Sequence, residues 1–379
     1  MTRDMVVIYF SRLGAPLQAH ERAAITAVAR AIAEIKRCDF GGCYRALNDM
    51  GGTFFVPDDS LLPDEAACIG IRDAEDLFGG VVPYPFVKTK AITHGLIDVH
   101  AAQPEGWSSE FAAKVRDAVL PGFTAFSADD ARAAAGRLMA MGPVRAKPPL
   151  ATGGRAQRVL TAVAQMDALL ERLEPDRLAS YGLVLEPDLH QLRTLSIGQI
   201  TVDSLTTTYY GTQRSVTDNE GRHVYGGSDL VCVRGGWDAS DDLPLDRNLR
   251  TALTEARTYD DAMAEYPGLF ASRRNYDIGQ GLDATGRWRS GVFEASWRVG
   301  GASTAEVAAL VEFQRDPSLQ VVEVSTVKEF GSARNPPKGA VVHFCGDDPE
   351  AGSVMRYTQV RRKRSREPND APIRIKHGH

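Results

Sequence analysis

Two acids, a hydroxyl and an arginine at strand spacing are the first residues in this sequence with the makings of a chemical centre. In "GVFEASWRVGG" (291–301) side chains alternate across a strand, so Glu294, Ser296 and Arg298 share one face, and Phe293, Ala295 and Trp297 pack behind it. A solvated strand face gives the same alternation. The preceding strand, "RRNYDIGQGLD", brings Asp277 into the same hairpin, with a turn around 283–286. Two carboxylates facing each other across a hairpin can share Mg2+, which accepts one or two protein carboxylates and fills its shell with water and substrate phosphates. Arg298 would neutralise an oxyanion or phosphoryl group beside them.

A lysine and a glycine loop add to this. In "VRAKPPLATGGRAQRV", Lys147 ends a short strand, and the loop that follows carries Gly153, Gly154 and Arg155. A lysine fixed on a strand can hold phosphate oxygens as a point charge, while small loop residues let backbone N–H groups approach them. A surface hairpin with an exposed lysine is the plainer alternative. Neither G-x-x-x-x-G-K-[ST] nor G-x-G-x-x-G is present, since "GQGLDATG" fails the spacing, so the P-loop and Rossmann classes are disfavoured. His94 and His223 read as structural hydrogen-bonders as readily as acid–base groups. "YYGTQR" and "YGGSD" could shape an acceptor pocket in which Arg214 or Ser228 holds a carboxylate.

The elements that must position these residues follow from periodicity. "MVVIYF" and "GTFFVP" read as strands flanking a helix over 20–35, a small α/β unit with a parallel sheet. Helices are predicted over 108–119, 127–141, where Ser127 caps, and 165–173, with a strand–loop–strand unit over 142–160. Residues 183–233 are rich in Thr, Val, Ile and Tyr between turn signals, an antiparallel meander. A helix over 247–265 and the acid-bearing hairpin follow, and then a helix announced by "STAE", with Ser303 and Glu306 in capping-box register.

Whole-chain properties set outer bounds. At 379 residues two or three lobes are expected, and a net charge of −5 creates no global field for nucleic acid or an anionic membrane. No run approaches the roughly 20 apolar residues that span a bilayer. A cytoplasmic location is the expectation, and the five cysteines, odd in number and without a C-x-x-C pair, read as reduced thiols. The segment 361–366 holds five basic residues in six and opens a stretch, 361–379, that reads as a disordered basic tail, a weak nucleic-acid contact at most.

Lys147 before a glycine loop, "LVLEPDL" at an interdomain hinge, Asp277 and then "EASWR" resemble the ATP-grasp superfamily in content and order. "DLFGGVVPYPFVKTKAITHGL", "GPVRAKPPLATGGRAQ", "HVYGGSDL" and "EASWRVGGAS" are similar to a bacterial family of unknown function related to it. The resemblance implies an α+β fold with an α/β N-terminal unit, in which two α+β lobes clamp a nucleotide behind a small parallel-sheet domain. It divides the chain into a preceding domain (1–95), a first lobe with the glycine loop (96–185), a second lobe with the metal site (186–360) and the tail (361–379).

The resemblance also implies roles. Lys90 and Lys147 would contact ATP phosphates, Gly153, Gly154 and Arg155 would form the phosphate loop, and Glu186 with the backbone to Leu189 would meet the adenine. Asp277, Glu294 and Ser296 would hold Mg2+, Ser296 standing where the family has a metal-ligating Asn, and Arg298 would stabilise the transferring phosphoryl group. Ala156 occupies the place of a third glycine, and the long hairpin makes Asp283 a rival to Asp277. The implied activity is an ADP-forming, ATP-dependent ligase that activates a carboxylate as an acyl-phosphate for attack by an amine or other nucleophile. Its partners would be those small molecules, with a homodimer possible. A non-catalytic ATP-binding sensor of the same fold is the alternative.

Overall fold

The computed structural model describes residues 5–11, 17–45, 52–149, 157–241, 243–331 and 335–365. An N-terminal unit runs β1 (Met5–Tyr9), α1 (Ala19–Lys36), β2 (Asp39–Cys43), β3 (Thr53–Pro57), α2 (Pro63–Cys68) and β4 (Gly80–Val81). A middle unit contributes α3 (Ser109–Val115), β5 (Phe123–Ala125), α4 (Ala128–Met139), β6 (Val144–Lys147), β7 (Arg158–Leu160), α5 (Val163–Leu170), α6 (Pro175–Tyr181) and β8 (Leu183–Pro187). Four strands and a helix come next: β9 (His190–Val202), β10 (Leu205–Thr217), β11 (His223–Arg234), α7 (Arg247–Ala264) and β12 (Phe270–Ala271). The chain closes with β13 (Arg273–Leu282), β14 (Trp288–Ser296), α8 (Ser303–Arg315), β15 (Leu319–Phe330), β16 (Val341–Asp348) and β17 (Gly352–Ser365).

Three sheets carry the architecture. β1 lies between β2 and β3, parallel to both, and its Val6, Val7 and Ile8 are all buried, as expected for a strand covered on both faces. The middle sheet, in the order β5-β8-β6-β7, is antiparallel and packs on α4 and α5 through Ala131, Ala134, Leu138, Val144 and Leu183. The large sheet has eight antiparallel strands in the order β14-β13-β9-β10-β11-β15-β17-β16.

Two helix layers cover that large sheet. On one face α1 and α8 share a core with Ile200, Tyr209, Leu230 and Val322, and Val6 and Ile8 of the parallel sheet join it. The N-terminal unit and the large sheet are thereby one hydrophobic body. The other face packs on α7 and α3 through Tyr210, Tyr276, Val292 and Trp297. In α1 the residues Ala24, Ile25, Val28, Ala29, Ile32 and Ile35 recur at helical spacing, which places one apolar stripe on the core.

The structure departs from the sequence reading in five places. Leu183–Pro187, expected in the meander, is β8 of the middle sheet and pairs with β5 and β6. Strand β2, "DFGGC", has no apolar run to announce it and forms because β1 offers a free edge. The helix expected over 165–173 is α5, and a second, unexpected helix, α6, follows it, opened by Pro175, whose fixed φ suits a first turn. Ser303 and Glu306 do not form a capping box. Ser303 Oγ accepts the Gly300 N–H at 2.9 Å, while Glu306 is drawn to the buried Arg273 guanidinium, which needs a counter-charge.

The fifth departure is the tail. Residues 361–365 belong to β17 and pair with β15, and their charges meet acids of neighbouring elements: Arg361 lies 3.5 Å from Asp229 and Arg362 3.9 Å from Glu323, while Lys363 pairs with Glu312 and Arg364 with Glu323. Those acids are remote in sequence, so the stretch read as a bare basic run. Residues 366–379 lie outside the described residues. Among the described residues no helix is long and apolar enough to cross a membrane. Of the five cysteines Cys232 is buried, Cys38 is half-buried and Cys43, Cys68 and Cys345 are exposed.

One buried acid gives the fold a pH signature. Glu255 of α7 accepts a hydrogen bond from Ser290 Oγ of β14 at 2.6 Å, yet burial pushes its carboxyl up to about 7. The folded state holds this proton more tightly than the unfolded chain, so the stabilisation present below about pH 4.5 is lost as pH rises to about 7. Urea denaturation of Glu255→Gln is expected to lack that decline, on the order of 3 kcal/mol in the wild type.

Candidate functional site

The β13–β14 hairpin sets the site's frame. Its register places Asp277 directly opposite Glu294 and Asn275 opposite Ser296, so these four side chains share the sheet face covered by α1 and α8. Between Asp277 and Ile278 the register slips, leaving Phe293 as the extra residue of a β-bulge. The expectation that Phe293 packs behind the acids with Ala295 and Trp297 is therefore corrected. Ala295 and Trp297 are buried in the α7-side core, joined by Val292, whereas the Phe293 ring sits 3.9 Å under Lys147 Nζ in a cation–π contact. Gly279 is required beneath it, because a Cβ there would run into that ring.

Asp277 is held by a small polar cluster. Asn275 Nδ2 donates to Asp277 Oδ1 at 3.0 Å, and Asn275 Oδ1 accepts from Ser196 Oγ at 2.7 Å and Tyr209 OH at 2.9 Å. Burial, and after it the charge of Glu294, pushes the Asp277 carboxyl up to about 6. An acid whose proton affinity is raised by burial and a facing carboxylate marks a site where a cation can replace the proton. The donor set fits Mg2+: hard carboxylate oxygens on facing strands. Among the described residues no group of three or more His, Cys, Asp or Glu is arranged to hold a metal, so a cation at this pair needs further oxygens from a ligand.

Two lysines reach the same place from different elements. Lys90, buried in a 3-10 turn (Lys90–Thr93) capped by the Thr89 hydroxyl, brings Nζ to 3.3 Å from Glu294 Oε2. Lys147 leaves β6 and ion-pairs with Glu186 of the adjacent β8, both wholly inside the protein. His94 completes this pair, its Nε2 lying 3.1 Å from Glu186 Oε2. Burial pulls the Lys147 ammonium below its ordinary pKa, with Glu186 opposing. Burial works to raise the Glu186 carboxyl, but Lys147 and then His94 outweigh it and hold it below the ordinary range. Glu186, expected at the adenine, thus turns its carboxylate to Lys147 and His94, and Leu189 is buried just beyond it.

The remaining expected residues fall in distinct places. Arg298 lies past the end of β14, donating to the Val299 carbonyl at 3.2 Å, with Nε 3.8 Å from Asp59. Ser296 stands on the acid face, and its carbonyl takes a long hydrogen bond of 3.4 Å from Arg273. Asp283 is corrected as a rival ligand: it accepts from the Thr285 hydroxyl and the Thr285 and Arg287 backbone and faces Arg289 at 2.7 Å, which holds its carboxyl far below the usual range. It builds the hairpin turn. Gly153, Gly154, Arg155 and Ala156 lie outside the described residues. Arg214 pairs with Asp229, Nε to Oδ2 at 2.7 Å, while Ser228 Oγ is 2.8 Å from Tyr225 OH. His223 is exposed at a strand end.

Sequence reasoning missed the buried pair that fixes this frame. Arg273 Nε and Nη2 donate to the two carboxylate oxygens of Glu306 at 2.8 Å each, and Nη1 donates to the Arg298 carbonyl at 2.5 Å. Nothing in the spacing of residues 273 and 306 signals it.

Residues 8–358 match the model of a family described as "Protein of unknown function (DUF3182)". The chain belongs to that family. Among curated proteins none matches. Two solved structures share its fold over most of their length. Biotin carboxylase from Campylobacter jejuni, a β,γ-ATP complex, is 12% identical with a TM-score of 0.52, covering 94% of this chain and 87% of its own. Phosphoribosylamine–glycine ligase from Thermotoga maritima is 14% identical with a TM-score of 0.52, covering 94% and 92%. The fold is ATP-grasp, with mixed α and β structure and one small parallel sheet.

The Lys147–Glu186 pair supplies a direct stability test. Glu186→Ala leaves a buried ammonium without its counter-ion and is expected to cost about 3–5 kcal/mol in urea denaturation. An unchanged midpoint would show that Lys147 does not depend on Glu186.

Proposed function

We propose that this protein is an ATP-dependent, ADP-forming ligase, in which Mg-ATP phosphorylates a small carboxylate and an amine or other nucleophile attacks the acyl-phosphate. The observation that carries the reading is the facing of Asp277 and Glu294 across β13 and β14, with Lys90 on Glu294 and Lys147 beside them. When bound, Mg-ATP would supply the phosphoryl group and the charge that the two acids lack. This chain's residues would do the rest: Asp277 and Glu294 hold the cation, Lys90 and Lys147 neutralise phosphate oxygens, and Arg298 offers a guanidinium to the transferring group. Ser296 adds a hydroxyl oxygen on the same face, a weaker ligand than a carboxylate. Gly153, Gly154 and Arg155 belong to this reading as the phosphate loop, and Glu186 with Leu189 as the adenine wall.

Phosphoryl transfer depends on positioning and charge neutralisation, so it asks for no nucleophilic Ser or Cys. The ATP-grasp fold and its ligase neighbours support the reading at the level of the clamp. We assign the preceding domain to residues 1–95, the first lobe to 96–185 and the second lobe to 186–360. A second reading, an ATP-binding sensor without turnover, is favoured by the commitment of Lys147 to Glu186 and by Ser296 in place of a stronger ligand.

Release of ADP and phosphate from the purified protein, with pools of carboxylates and amines, separates the two. Substrate-stimulated turnover is expected, and Glu294→Gln is expected to lower it about a hundredfold or more. A Glu294→Gln protein with full turnover would sink the metal-ligand assignment. Tight Mg-ATP binding without stimulated turnover in the wild type would establish the sensor reading.

A further inference from the structure

The sheet face that bears the acids carries a second polar feature, several strands away. Cross-strand register links Gln213 to Ser228, Ser228 to Thr326 and Thr326 to Thr358, while Gln213 hydrogen-bonds Asp277. A row of polar side chains therefore crosses the large sheet beneath α1 and α8. Its hydroxyls are joined to α8, since Thr304 Oγ1 lies 3.1 Å from Thr326 Oγ1 and 2.8 Å from Thr358 Oγ1.

At the far end of the row stands Arg356 of β17, 9% exposed and, among the described residues, without an acidic partner within ion-pair distance. Its one side-chain hydrogen bond among the described residues is a long 3.4 Å contact from Nη1 to the His20 carbonyl. Burial depresses its pKa, and only Tyr225 and Glu21 oppose, at a distance. The acids nearby are committed elsewhere: Glu21 caps the Gln18 N–H at 3.1 Å, and Asp348 accepts from the backbone N–H groups of His20, Glu350 and Ala351.

His20 is the second anomaly. It is 1% exposed at the first turn of the 18-residue α1, and among the described residues neither ring nitrogen has a hydrogen-bond partner. A buried imidazole loses free energy when its N–H is unmet, and a buried guanidinium loses more. Both groups are donors in search of the same thing. The N-terminus of α1 adds its partial positive charge, and Lys328 lies opposite Arg356 in the β15–β17 ladder. A polar cavity of about 220 Å³ with both signs of charge in its lining, Arg222 and Lys328 beside Asp218, Glu220 and Glu350, opens next to Gln18 at the start of α1, and Arg356, His20 and Tyr225 lie outside that lining.

We propose that Arg356 and His20, with Tyr225 at their side, form an oxyanion subsite that anchors the terminal carboxylate or phosphate of the second substrate. This rests on the ligase reading above and deepens it. Tyr225 lies between the two ends: burial is the main cause that raises its phenol, and the charges of Arg356 and Asp277 both act on it as well. Gly301 must be glycine for that ring to fit, because a Cβ there would strike it. Five ladder steps separate β13 from β17, which at about 4.8 Å each bounds the span at roughly 24 Å for a flat sheet. The substrate anchored at Arg356 is accordingly elongated, with its reacting end toward Asp277.

The test uses the full-length protein and calorimetric titration with inorganic phosphate, succinate and glycylglycine, beside a separate titration with Mg-ATP. At least one of the three anions is expected to bind, and which one separates phosphate from carboxylate. Arg356→Met is expected to weaken that affinity about tenfold to a hundredfold, with Mg-ATP affinity within about twofold of wild type and no fall in melting temperature. A purely structural arginine would instead lower the melting temperature and leave anion affinity alone. Should Arg356→Met fail to fold, Arg356→Lys and His20→Asn provide the same comparison. Anion affinity unchanged in the variants that fold, or no binding of any probe to the wild type, overturns the proposal. Arg356-dependent anion binding in a protein that does not bind Mg-ATP would sink the ligase reading and leave the subsite standing.

Discussion

The bidentate pair between Arg273 and Glu306 is the contact on which the site's geometry depends. It joins the first residue of β13 to the first turn of α8 inside the protein, and the third guanidinium nitrogen holds the Arg298 carbonyl just past β14. The strand pair that presents Asp277 and Glu294 is thereby fixed to the helix layer rather than left as a free hairpin. A buried pair of this kind adds little net stability against an apolar substitute, yet losing one partner is costly. Its value here is positional. The same helix layer carries Thr304, so acids and hydroxyl row are referred to one rigid element.

Around that frame, charge is distributed in interlocking pairs. Lys90 answers Glu294, and Lys147 answers Glu186, which His94 also contacts. The lysines come from two different parts of the chain, a 3-10 turn after the parallel sheet and a strand of the middle sheet. A polyphosphate with its cation would enter an arrangement that already holds both signs of charge, so binding exchanges partners rather than burying bare ions. Electrostatic pre-organisation of this sort lowers the reorganisation needed when charge moves.

Much of the fold was legible from periodicity. The α1 stripe, the Ser127 cap, the part of the meander from β9 to β11 and the α7 helix all appear where apolar spacing and turn residues put them. The shared face of Glu294 and Ser296 was legible too, because strand alternation makes them neighbours, while Lys147 and Asp277 were singled out by the resemblance in motif order. Less was legible where a partner distant in sequence decides the outcome. The β-bulge that turns Phe293 toward Lys147 has no local signal, and Glu306 fits a capping box equally well until Arg273 is seen beside it. The basic residues 361–364 look unpartnered because their acids lie on other elements.

Residue type and alternation were sufficient to select a strand-borne acid pair and a lysine before a glycine loop, because each is a short-range pattern, and the resemblance of the ordered motifs implied the ATP-grasp arrangement and the second lysine. Tertiary structure alone decided that Asp277 and not Asp283 faces Glu294, that Glu186 meets Lys147 and His94, and that Arg356 and His20 come together from opposite ends of the chain. The physical reason is the same in each case. Register, burial and counter-charge are properties of neighbours in space, and a buried ion's partner is chosen by which element the packing brings within reach.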